Sequence, residues 1–85
     1  MRMIRRRRKV RLLVSNLTEL PCRVSFEPLG DQALLPAGGI FNVEISGPGD
    51  GLVEISFAED CLQIGEWDGA KTRVRNMRGE NVATY

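Results

Sequence analysis

The sequence predicts an all-β protein: a small antiparallel β-sandwich of seven or eight short strands, with a small β-barrel as the alternative. Apolar and polar residues alternate with a period of two in successive segments, which is typical of strands with one buried face. Turn residues separate these segments at intervals of about ten residues. No stretch keeps helical spacing of its apolar residues over three turns. The 85 residues are enough for one small domain.

Each predicted strand presents apolar side chains on one face. The first begins near Lys9, where Val10, Leu12 and Val14 alternate with Arg11 and Leu13. The strands that follow lie within residues 22–26, 32–35, 41–45, 53–57, 62–64 and 72–76, and residues 82–85 are an edge strand or a frayed end. Because the opposite faces are polar, both sheets are expected to meet water on one side.

Two turns carry specific expectations. Gly47, Pro48, Gly49, Asp50 and Gly51 follow one another and predict the loosest, most exposed loop of the chain. The pair Asp68 and Gly69 predicts a type I′ hairpin, since both central positions of that turn need positive φ.

Charge is divided unevenly along the chain. The first eleven residues carry seven positive charges and no negative one, whereas the other 74 carry five basic and all eleven acidic residues. A near-neutral total thus hides a basic segment attached to an acidic body. We expect residues 1–8 to form a flexible basic arm and residues 9–85 to form a single β domain.

The arm predicts a polyanion as partner. A run of five cations repels itself and resists folding alone, while each phosphate it neutralises releases counterions. Binding to nucleic acid would then be salt-dependent and independent of base sequence. The expected polyanion contacts are Arg5, Arg6, Arg7, Arg8 and Lys9, with Lys71, Arg73 and Arg75 as a second group.

Alternatives stay open for both groups of cations. Lys71, Arg73 and Arg75 share one strand face, which is either a basic stripe or a solvated face paired across strands with Glu54 or Glu66. The arm could instead lie against the acidic body of its own chain or of a second copy, or serve solubility alone. The alternative function is that of a structural or assembly protein that self-associates or binds a protein partner through sheet edges. No acylation motif or apolar anchor supports a membrane surface as the partner.

The residue types present argue against an enzyme and against a metal or other cofactor. The chain has no histidine, the commonest general base and metal ligand. Cys22 and Cys61 lack CxxC spacing, and Cys22 shares its face with core residues, so both are interpreted as structural thiols. Asp50 and Asp68 are turn formers rather than calcium ligands. Trp67 is expected to pack at the edge of the core rather than at an exposed tip.

The chain is expected in the cytoplasm, with reduced thiols. No apolar segment is long enough for a signal peptide or a membrane span, and cysteines in that compartment stay reduced. On this expectation the sequon formed by Asn16, Leu17 and Thr18 is a chance match.

One segment resembles known proteins. Glu27-Pro28-Leu29-Gly30 precedes, after four residues, Leu35-Pro36-Ala37-Gly38 and an alternating strand. This pattern resembles small bacterial β-proteins of uncharacterised function and the turn-rich middle of immunoglobulin-like and cupredoxin-like sandwiches. The resemblance covers residues 16–57 and implies a sandwich without an activity. It does not extend to copper, because a type-I site needs two histidines and a cysteine.

Overall fold

A computed structural model describes residues 6–84 of the chain. These residues form seven strands and no helix: β1 Arg7–Ser15, β2 Cys22–Glu27, β3 Asp31–Leu35, β4 Ile40–Pro48, β5 Glu54–Ala58, β6 Cys61–Gly65 and β7 Lys71–Arg75. One sheet has the order β1-β4-β7 and the other β3-β2-β6-β5. The two sheets do not close on each other, so the sandwich prediction is confirmed and the barrel alternative is wrong.

The three-stranded sheet is built around β4, which pairs antiparallel with β1 on one side and with β7 on the other. β1 pairs along its whole length, with Arg7 opposite Pro48 and Ser15 opposite Ile40. The strand therefore begins two residues before the expected domain boundary at Lys9. Residues 1–5 of the expected arm lie outside the described residues.

The four-stranded sheet departs from the antiparallel expectation at one place. β2 pairs antiparallel with β3 but parallel with β6, and β5 and β6 form an antiparallel pair. The chain between β2 and β6 passes through the other sheet as β4, so β6 returns in the direction of β2. Alternation within a strand cannot reveal this direction, because it is the same for both pairings.

The core lies between the two sheets. Its largest fully buried side chains come from the inner faces of β2, β3, β4 and β6: Val24, Leu35, Val43, Ile45 and Ile64. Half-buried Val10, Leu12 and Val14 of β1 pack against this cluster, as their two-residue spacing predicts.

The apolar face of β5 is the exception. Ile55 is 53% exposed and Phe57 is 69% exposed, although the sequence pattern predicts them in the core. Ile55 pairs with buried Ile64 and therefore belongs to the inner face of its sheet. β5 is the outermost strand of the four-stranded sheet, and the opposing sheet has only three strands. The inner-face side chains of β5 therefore extend beyond the strands of the opposing sheet.

The type I′ turn occurs at a different place from the one predicted. Asp68 and Gly69 connect strands of different sheets, and only Gly69 has positive φ, at 87°. The I′ geometry belongs to Glu59 and Asp60, with φ of 49° and 63°, which join β5 to β6. No glycine marks this turn, and aspartate tolerates positive φ well enough to occupy it.

The glycine-rich segment 47–51 is closely packed rather than loose. A Cβ at Gly47, which is buried at the end of β4, would lie 2.8 Å from the Cα of Ala70. A Cβ at Gly49 would lie 2.7 Å from the indole ring of Trp67. Glycine is required here because backbone meets backbone and an aromatic ring.

The C-terminal residues lie against β7 without forming a further strand. A single bridge joins Arg75 and Asn81, and the Val82 N–H donates to the Val74 carbonyl oxygen at 3.0 Å. These contacts cover part of the outer edge of β7.

Candidate polyanion-binding face

The outer face of the three-stranded sheet collects basic side chains from both ends of the chain. Alternation turns Val10, Leu12 and Val14 of β1 and Val74 of β7 toward the core, so the residues between them, exposed Leu13 included, point outward. The six cations that result are called the basic face: Arg7, Lys9, Arg11, Lys71, Arg73 and Arg75.

The strand register arranges this face in rows across β4. Arg11 and Arg73 both pair with Glu44. Lys9 and Lys71 likewise flank Ser46 in the next row. The cations thus form one column on β1 and one on β7, about 10 Å apart, with neighbours in a column about 7 Å apart. Several of them can contact one segment of a polyanion together.

Glu44 is the one acidic residue on the face. Its carboxylate lies 3.9 Å from the Nζ of Lys9, which is the one ion pair within 4.0 Å among residues 6–84. The lysine side chain is 61% exposed, and such pairs at a surface contribute little. Six cations against one carboxylate leave the face with five positive charges net.

Three arginines surround a shallow depression in this face. Arg11, Arg73 and Arg75 line a cavity of about 490 Å³, together with Asn42 and Glu44. Guanidinium groups offer planar, paired donors that match phosphate oxygens. Among the described residues no aromatic side chain lies on this outer face, so base stacking of the kind seen in single-strand binders has no platform here.

Five of the eight expected polyanion-binding residues lie on the basic face. They are Arg7, Lys9, Lys71, Arg73 and Arg75. Arg6 is exposed just before β1, and its carbonyl oxygen accepts a 3.3 Å hydrogen bond from the Gly49 N–H. Arg8 points to the other side of the strand, where its Cβ and Cγ lie close to Gly51. Arg5 lies outside the described residues.

Arg11 belongs to the face but not to the expected site. The signal was present in the sequence, because Arg11 follows Arg7 and Lys9 at the two-residue spacing of a strand. Arg11 is not among the expected contacts because the run of consecutive cations on which they depend ends at Lys9.

Among residues 6–84 no ion pair within 4.0 Å joins the β7 stripe to Glu54 or Glu66, although Glu66 and Lys71 line one depression. Glu54 lies in β5 of the other sheet, where it pairs with Gly65. Glu66 accepts a 2.6 Å hydrogen bond from the Thr72 hydroxyl, whose side chain is on the opposite side of β7. The carboxylate that faces the stripe is Glu44.

Acidic side chains gather elsewhere on the molecule. A depression at one end of the four-stranded sheet is lined by five carboxylates and by no lysine or arginine: Glu27, Asp50, Glu54, Glu66 and Asp68. Charge is therefore segregated between two surfaces of the folded domain as well as along the chain.

Trp67 and the two cysteines are buried or half-buried. Trp67 is buried, and its Nε1–H donates to the Pro48 carbonyl oxygen at 2.9 Å, so its predicted core position is confirmed. Cys22 and Cys61 are free thiols, half-buried and buried respectively. Between residues 6 and 84, no three His, Cys, Asp or Glu side chains come together in an arrangement for a metal ion.

Comparisons with known proteins give no relative. No protein-family model, curated protein or solved structure matches the chain. Within the described range no helix is present that has the length and apolar character needed to cross a membrane.

Proposed function

We propose that this protein is a non-catalytic module that binds nucleic acid through its basic face, without preference for base sequence. The proposal rests on one observation: two basic segments, some sixty residues apart in the chain, lie side by side on one face of a sheet. That face holds a single carboxylate. Lys and Arg side chains attract phosphates over distances up to about the screening length set by the salt concentration.

The contacts expected on this face are to phosphates rather than to bases. Guanidinium and ammonium groups reach outward from the face of a sheet, and residues 6–84 contain no helix that could enter a major groove. Five or six phosphate contacts give a slope of about −5 in a plot of log K against log salt concentration for duplex DNA.

The test is fluorescence anisotropy with labelled duplex and single-stranded DNA of equal length, between about 50 and 200 mM salt. The double variant R73A/R75A should bind at least tenfold more weakly at low salt, since it loses two phosphate contacts. The matched control is R23A/R78A, which removes two exposed arginines outside the face. Equal losses in the two variants would contradict the proposal.

The part of the arm that precedes β1, residues 1–6, can be tested separately from the face. Removal of residues 1–6 leaves β1 intact, because that strand begins at Arg7. We expect the shortened protein to retain binding with a lower affinity and a shallower salt slope. Complete loss of binding would assign the function to the arm rather than to the face.

A further inference from the structure

β5 is an edge strand whose inner-face side chains have no cover. It ends the four-stranded sheet, and among the described residues its backbone makes no hydrogen bond outside its pairing with β6. Ile55 and Phe57 are exposed, whereas Ala33 and Leu35 of β3, the other edge of this sheet, are buried. Of the two edge strands of this sheet, only β5 therefore combines exposed apolar side chains with unpaired backbone groups along its edge.

β5 also lacks the features that protect edge strands from pairing. Proteins block such edges with lysine or arginine, proline or a bulge. β5 has one charged residue, Glu54, no proline, and an unbroken register with β6. The edge strand β1 of the other sheet, by contrast, carries Arg7, Arg8, Lys9 and Arg11, and these charges oppose pairing with a second β1.

The turn after β5 determines which backbone groups are free. Glu59 and Asp60 form a two-residue turn, so the flanking Ala58 and Cys61 exchange the first pair of ladder hydrogen bonds. Hydrogen-bonded and non-bonded pairs then alternate along an antiparallel ladder. The N–H and C=O groups of Ile55 and Phe57 therefore point away from β6, toward the open edge.

We propose that β5 pairs antiparallel with β5 of a second copy, about a twofold axis at Ser56. This is the one register that pairs all five strand residues while placing the free backbone groups opposite each other. Ile55 of each copy then exchanges two hydrogen bonds with Phe57 of the other, and four apolar side chains meet on one face. The two four-stranded sheets become a continuous sheet of eight strands.

Charges of both signs meet at each end of this arrangement. Glu54 lies opposite Ala58 of the second copy, so no like charges face each other within the pair. Arg8 contacts Gly51, which leads into the start of β5. Antiparallel pairing brings the turn of the second copy, Glu59 and Asp60, to that same end. Arg8 of one copy, together with Asp50 and Glu54 of its own chain, thus meets Glu59 and Asp60 of the other, and the arginine offsets part of the repulsion among these carboxylates.

Sedimentation of the full chain without nucleic acid tests association. We expect the wild type to pass from monomer to dimer at concentrations up to about 100 μM, as is usual for a small interface. Phe57→Lys should weaken the dimer at least tenfold, because it removes an aromatic contact and places charge at the edge. Leu29→Lys is the matched control, since Leu29 is an exposed leucine in the turn before β3, and it should dimerise as the wild type does.

Cross-linking tests the register and does not depend on the folding of the lysine variant. On the twofold axis, Ser56 faces Ser56 of the second copy as a non-bonded pair, with Cα atoms about 4.5 Å apart, within the range for a disulfide. Ser56→Cys should form covalent dimers on mild oxidation, whereas Glu54→Cys and the wild type, which retains Cys22 and Cys61, should not. A wild type that stays monomeric, an F57K variant that dimerises normally, or equal cross-linking by both cysteine variants would overturn the proposal.

Discussion

The side-chain amide of Asn16 donates a 3.1 Å hydrogen bond to the carbonyl oxygen of Leu35 and thereby ties the end of β1 to the end of β3 in the other sheet. The same amide donates to the Leu20 carbonyl at 2.7 Å, and its oxygen accepts from the Thr18 N–H at 3.0 Å. The Asn16 N–H donates to the Gly39 carbonyl at 3.0 Å. Only 4% of Asn16 is exposed, so the asparagine of the sequon is a buried residue that stabilises the fold through its hydrogen bonds.

Asn16→Ala should therefore destabilise the fold. The substitution leaves the buried Leu35 carbonyl and the Thr18 N–H without their partner, which costs about 2–3 kcal/mol in the free energy of unfolding. Urea denaturation followed by circular dichroism measures the change. Asn42→Ala, on an exposed site of β4, is the control and should stay within about 0.5 kcal/mol of the wild type.

Gly49→Ala should cost more than Gly79→Ala. Both glycines have positive φ, at 131° and 78°, so both substitutions carry backbone strain of about 1 kcal/mol. A Cβ at position 49 would also lie 2.7 Å from the Trp67 ring, whereas nothing lies within 4 Å of one at position 79. Overpacking adds about 1–3 kcal/mol at position 49. Thermal denaturation of the two variants side by side checks this order, and equal melting temperatures would contradict it.

Arg11→Ala and Arg8→Ala should differ in their effect on nucleic-acid binding. Arg11 points outward on the basic face, whereas Arg8 points to the opposite side of β1 beside Gly51. Loss of Arg11 should reduce the magnitude of the salt slope by about one, and loss of Arg8 should leave it unchanged. Anisotropy titrations at several salt concentrations give both slopes. A larger effect of Arg8 would place the binding surface on the other side of the strand.

Glu44→Gln should strengthen binding. The substitution removes the one carboxylate of the basic face and releases Lys9 from its 3.9 Å ion pair. At low salt we expect an affinity about two to five times higher, since an exposed charge contributes about 1 kcal/mol or less. Glu19→Gln, in the exposed segment after β1, is the matched control. An unchanged affinity in the Glu44 variant would show that the polyanion does not approach this face.

Sequence alternation predicts the strands well, because a period of two depends only on which face each side chain takes. It identifies the outward direction of Arg73 and the inward direction of Val74. It cannot show that β7 and β1 flank the same strand, since that neighbour relation depends on contacts between distant parts of the chain. The sequence therefore predicts two separate basic segments but not the single face that they form.

Where the sequence-based predictions are wrong, the cause is the arrangement of the strands in the two sheets or a turn without the usual residues. Ile55 and Phe57 have the pattern of core residues, and only the unequal number of strands in the two sheets leaves them exposed. The dipeptide Asp68-Gly69 has the composition of a hairpin, but the next strand joins the other sheet. Glu59 and Asp60 lack the glycine that usually marks a tight turn, yet they form one.

The position of β4 between the two basic strands links folding to the proposed binding. β1 and β7 are neighbours only through β4, so an unfolded chain keeps its consecutive arginines but has no joined face. A polyanion that prefers the face then shifts the equilibrium toward the folded chain, by about 2.7 kcal/mol at a concentration one hundred times its dissociation constant. For so small a domain this is a large share of its whole stability, and nucleic acid at that concentration would lower the unfolded fraction about a hundredfold.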